Sequence, residues 1–128
     1  MRVVLGFLLA CHGAQKFFGV LGGTVQLHTA KGLIAGTIEL LGGTLIGIGL
    51  FTPVVAFIAS GEMAVAYFWM HTKRGFWPII NKGELAVALC FAFLYISARG
   101  AGRYSLDHVL RRELVPARSR QTVGQLTE

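Results

Sequence analysis

LIAGTIELLGGTLIGIGLF, residues 33–51, is a run of nineteen residues with a single charged group, Glu39. About 20 apolar residues are what a helix needs to cross a bilayer. Thr52-Pro53 follows at once, and Pro at the first position of a helix loses no needed hydrogen bond. A second apolar run, residues 53–70, therefore predicts an antiparallel neighbour, again with one acid, Glu62. Working outward, residues 2–18 and 84–98 are also apolar. The first is interrupted by His12, Gln15 and Lys16, and the last is short enough to stand nearly upright. The expected fold is all-α: an integral membrane four-helix bundle with helices at about 2–18, 33–51, 53–70 and 84–98.

Composition agrees. Of 128 residues 54% are hydrophobic and 14% charged, with mean hydropathy +0.62, whereas soluble domains carry about 25% charged residues. Neither a soluble globule nor a disordered chain fits. The net charge of +6 sits mostly between the apolar runs and after residue 98, so lipid phosphates are the expected partner and nucleic acid is not. Arg2 ahead of an apolar stretch would suit a signal peptide, but three further spans follow.

An even number of spans puts both termini on one side of the membrane. Arg2, Arg99, Arg103, Arg111 and Arg112 lie on that side, which favours the cytoplasm. Trp69, Phe76 and Trp77 gather at the opposite interface, as aromatic belts do. Residues 1–102 thus form the membrane domain and 103–128 a basic cytoplasmic tail. In the tail Ser105 caps a short interfacial amphipathic helix, with Leu106, Val109, Leu110 and Leu114 on one face. After Pro116 the polar composition predicts disorder.

The ionisable residues inside the spans are the informative ones, because a mid-membrane charge costs about 2.5 to 3.5 kcal/mol even on a lenient scale. Glu39 falls in a stripe of helix-packing glycines, Gly32, Gly36, Gly43 and Gly47, arranged as two GxxxG pairs. It must face another helix, either uncharged or paired with a cation. Glu62 shares a face with Val55, Ala59, Ala66 and Trp69, and His12 and Lys16 lie one turn apart. Glu84 opens the fourth helix, where the helix dipole favours a carboxylate. His12, Lys16, Glu39, Glu62 and Glu84 form the expected intramembrane polar cluster. It could also be a set of pairs holding helices in register, since such bonds average about 0.6 kcal/mol. His12 without a second suitably spaced His argues against a metal or haem site. Cys11 and Cys90 lie in apolar runs with no CxxC, at similar depths in antiparallel helices. A buried thiol of that kind is usually inert, and a disulfide would depend on how closely the helices approach. No catalytic or cofactor motif is evident.

Read in order, Arg2, Leu5-Gly6, His12-Gly13 and Lys16-Phe17 resemble the first-helix pattern of the DoxX family of small four-helix bacterial membrane proteins. Glu39-Leu40-Leu41-Gly42-Gly43 with Gly49-Leu50-Phe51-Thr52 resembles the second-helix signature, and residues 61–68, GEMAVAYF, the third. Asn81 to Glu84 resembles the family's N-G-G-E before the fourth helix, and Gly100, Gly102, Ser105, Leu106 and Asp107 its closing G-x-G-x-x-S-L-D. The resemblance covers residues 2–107. It implies a bacterial plasma-membrane protein tied to redox chemistry, as relatives are described as subunits of quinone-coupled sulfur oxidoreductases and as partners of thiol- and superoxide-handling enzymes. It also implies a shortened first helix, as relatives usually carry some twenty residues before the position of Arg2. Pro53 stands where an arginine is frequent.

The expected function is a DoxX-like subunit supporting quinone or thiol redox chemistry with soluble or membrane partner proteins, alone or as an oligomer. The polar cluster would hold a quinone head group or a proton. A small proton or solute carrier using the same glutamates is an alternative. A non-catalytic scaffold holding an enzyme through the basic tail is another.

Overall fold

The computed structural model describes residues 1–114, with side chains to residue 110, and every regular element among them is helical. Helix α1 is Arg2–Phe18, closed by Gly19 in the left-handed region at φ 64°. Helix α2 is Ala30–Ile48 and α3 is Thr52–Arg74. A single turn, α4 (Pro78–Asn81), leads into α5 (Glu84–Arg99), and α6 (Leu106–Leu114) follows. The disorder expected after Pro116, and the side chains of Arg111, Arg112 and Leu114, lie outside the described residues.

The boundaries differ from those expected of the sequence for local reasons. Thr29 accepts a hydrogen bond from the Gly32 amide at 3.1 Å, so α2 starts three residues early. It stops at Ile48 because Gly49 turns left-handed at φ 81°, which leaves apolar Leu50 and Phe51 in the turn. Pro53 sits in the first turn of α3, as expected. That helix runs on past Met70 through a π turn, Tyr67–His71, and a 3-10 turn, Thr72–Arg74.

A π turn at Ile38–Gly42 also widens the middle of α2. Gly32 and Gly47 lie fifteen positions apart, about 4.2 turns of plain α-helix, which would set them about 60° off one face.

Helix α1 packs along α2, and α3 along α5. Ser60 Oγ donates to the Cys90 carbonyl at 2.8 Å and Ser97 Oγ to that of Pro53 at 2.8 Å, tying the second pair together. The two pairs share one core of Leu9, Ile46, Ala56, Ala59, Met63, Leu89, Phe93 and Ile96. Outside it, Val3, Phe7, Ile34, Leu41, Val54, Phe57, Val65, Phe91 and Leu94 are exposed. An apolar surface on that scale needs a cover that water cannot supply.

Helices α2 and α3 are long and apolar enough to cross a membrane, and only about a third or less of each apolar window, 33% and 28%, is buried inside the chain. The core helix of a soluble protein would be mostly buried. At 17 and 16 residues α1 and α5 are shorter. Both cysteines are free and half-buried.

Candidate functional site

Glycine contact brings α1 and α2 close enough for a short ion pair. A Cβ on Gly6 would meet the Gly43 carbonyl oxygen at 2.6 Å and the Gly47 nitrogen at 2.6 Å, and one on Gly43 would meet the Gly6 oxygen at 2.6 Å. Gly13 stands against the backbone of Leu40, and Gly36 against the Phe17 ring and the Lys16 stem. Gly36 and Gly43 therefore serve the helix contact, whereas Gly32 accommodates the carbonyl of Gln26 in the α1–α2 loop. A Cβ on Gly47 would meet nothing within 4 Å, although its backbone lies against Gly6. Sequence reasoning missed Gly6 and Gly13. Their seven-residue separation was the available signal.

At this seam Lys16 Nζ lies 2.6 Å from Glu39 Oε1. The glutamate is 3% exposed, on the π turn of α2. An ammonium that close satisfies one oxygen with a charge-assisted hydrogen bond. Glu39 Oε2 is buried and has no hydrogen-bond partner among the described residues, and the same holds for Glu62 Oε2 on α3. Glu62 lies within electrostatic reach of both Glu39 and Lys16. Three helices thus present one ammonium and two carboxyl groups to a common interior, with two acceptor oxygens unspent.

His12 is half-buried one turn before Lys16 on α1, with no hydrogen bond among the described residues. Glu84 stands apart, exposed at the first position of α5. Of the neighbours expected on the Glu62 face, Ala59 is fully buried but Trp69 is 53% exposed, because the π turn intervenes. Lys31 sits over the Trp69 ring at 3.9 Å. Among the described residues no three His, Cys, Asp or Glu side chains cluster as metal ligands would.

Other polar residues that drew attention as sequence motifs hold the framework. Arg2 donates through Nη1 to the carbonyls of Ile46 and Gly47, both at 2.7 Å, and through Nη2 to that of Tyr104 at 2.6 Å. It thereby caps the C-terminus of α2, where a cation is favoured. Asp107 accepts from the Phe51 and Thr52 amides at 2.8 and 2.9 Å, capping α3 and holding Phe51 at φ 50°. Ser105 Oγ accepts from the His108 amide at 3.2 Å and so caps α6.

At the other end Asn81, fully buried, donates to the Gly75 carbonyl at 2.7 Å and accepts from the Gly83 amide at 2.8 Å. The Tyr67 hydroxyl donates to the Phe76 carbonyl beside it. A Cβ on Gly83 would meet the Tyr67 ring at 2.7 Å. The glycine before Glu84 is thus a packing requirement.

The family model for DoxX matches residues 1–72. A Haemophilus influenzae protein described as "Uncharacterized protein" is 41% identical over 115 residues, covering 84% of this chain and 86% of its own length. A Bacillus subtilis protein named "Putative oxidoreductase CatD" is 27% identical over 113 residues, covering 84% of this chain and 81% of its own length. No solved structure matches significantly. The family model spans more than half of the chain, and the Haemophilus protein is similar along most of it. The chain belongs to the DoxX family, whose members are membrane proteins.

Proposed function

We propose that the chain is a four-span subunit of the bacterial plasma membrane that supports quinone or thiol redox chemistry with a partner protein, its Lys16–Glu39–Glu62 interior being the substrate and proton site. The observation that carries this reading is the pair of buried carboxyl oxygens, Glu39 Oε2 and Glu62 Oε2, left without hydrogen-bond partners among the described residues near one ammonium. Buried polar groups are normally satisfied, and intramembrane acids mark pathways for ions, protons or ligands.

The three groups suit a quinone head group. Its carbonyl oxygen can accept from Lys16, and the hydroxyl formed on reduction can donate to a carboxyl group. Reduction to the quinol takes two electrons, which the partner supplies, and two protons, which the carboxyl groups can relay. The name of the Bacillus protein, an oxidoreductase, supports the reaction class. A core drawn from four helices and an apolar exterior support the four-span arrangement. The Arg2–Tyr104 bond holds both ends of the membrane domain together, which supports placing them on one side of the membrane, and the arginines at that end favour the cytoplasmic side.

The test uses the full chain in neutral detergent, titrated with ubiquinone-1 and followed by tryptophan fluorescence. Saturable binding that weakens about tenfold in Glu39→Gln and in Glu62→Gln is expected, as for loss of a charge-assisted hydrogen bond. A flat titration of the unmodified chain overturns the reading. The same orphan oxygens favour a second reading, a proton or solute carrier, which predicts Glu62-dependent flux in proteoliposomes.

A further inference from the structure

A cleft of about 290 Å³ opens at the opposite end from the aromatic belt, where α5 turns into α6. Arg99, Arg103, His108 and the backbone of Gly100 to Gly102 line it. Arg99 and Arg103 are exposed and have no carboxylate partner among the described residues. Asp107 is the acid at its wall, and its two oxygens are engaged by the Phe51 and Thr52 amides. Two guanidinium groups against that one carboxylate leave the cleft with a surplus of positive charge.

Gly100 at φ 78° and Gly102 at φ 77° bend the chain around this space, and a Cβ on either would meet nothing within 4 Å. Gly100 and Gly102 thus leave open space in a cleft that Arg99 and Arg103 also line.

We infer that this cleft binds the phosphodiester of an anionic lipid head group. Guanidinium groups present paired donors that match phosphate oxygens. A volume near 290 Å³ is at the small end of ligand pockets, of a size for a head group and not for a whole lipid.

The flanks decide between a lipid and a free phosphate ion. Phe91, Leu94 and Tyr95 are exposed on α5 before the cleft, and Leu106, Val109 and Leu110 on α6 after it. Acyl chains attached to the bound phosphate would lie along those apolar side chains. A free ion would gain nothing from them. The site is separate from the Lys16–Glu39–Glu62 interior and does not depend on the redox reading.

The full chain in neutral detergent, incubated with dioleoyl phosphatidylglycerol or dioleoyl phosphatidylcholine, is measured by native mass spectrometry. Phosphatidylglycerol is retained preferentially, and each of Arg99→Gln and Arg103→Gln lowers that retention about fivefold, the worth of one cation at an anionic lipid surface. The double variant lowers it by about twenty-fivefold. Lys73→Gln with Arg74→Gln, at the other end, leaves it unchanged. If the double variant does not fold, the single variants carry the test. Retention unaltered by either arginine substitution overturns the proposal. Arginine-dependent binding of inorganic phosphate without lipid retention overturns the lipid as occupant.

Discussion

Lys16 is the only counter-ion of Glu39 among the described residues, and the two should stand or fall as a pair. Lys16→Met leaves a carboxylate that is 3% exposed without its cation, and breaking such a pair destabilises by about 3 kcal/mol. Lys16→Met with Glu39→Gln should recover most of that loss, and thermal unfolding in detergent compares the variants. Asn81→Ala removes a donor and an acceptor at a fully buried position. It should cost about 1 to 3 kcal/mol in the same measurement. Lys16, Glu39 and Glu62 were legible because a charged letter in an apolar run has to be answered. Glu84 was harder to place, since a carboxylate at a helix start serves equally well facing water. Arg2 was legible only as a motif letter, because its partners are the carbonyls of Ile46, Gly47 and Tyr104, which carry no side-chain signature.

The α1–α2 seam is decided by backbone approach, so its sensitivity to added carbon should be sharply local. Gly13→Val, set against the backbone of Leu40, should separate the helices and abolish a folded, monodisperse peak in size-exclusion chromatography. Gly61→Ala on α3 meets nothing within 4 Å. It should leave the fold intact and raise stability by up to about 1 kcal/mol, the helix preference of alanine over glycine. The helices themselves were readable from the length of the apolar runs. Their π turns, as at Ile38–Gly42, were not, since a uniform period of 3.6 was assumed. The same assumption put Trp69 on the Glu62 face, whereas the turn at Tyr67–His71 leaves it largely exposed.

For the molecule as a whole, the bond from Arg2 to the Tyr104 carbonyl holds the start of α1 and the segment before α6 at one end of the helices, and the proposed topology puts that end on a single membrane face. With Cys11 and Cys90 replaced by Ser, a cysteine at Met1 and one at Tyr104 should show the same accessibility to a membrane-impermeant maleimide in right-side-out spheroplasts. Labelling of one and protection of the other would contradict that arrangement. The membrane character was plain in composition, because apolar surface without enough polar residues to cover it is a property of the whole chain. How the helices pair was less plain, because lipid and protein offer an apolar side chain much the same environment. The Arg2 clamp also bears on when the protein is finished. Its two halves lie 102 residues apart, and a ribosome adding about 5 to 20 residues per second delivers the second half several seconds after the first. Until Tyr104 emerges that bond cannot form, so a chain that stalls earlier lacks the contact tying its first helix to the segment before α6.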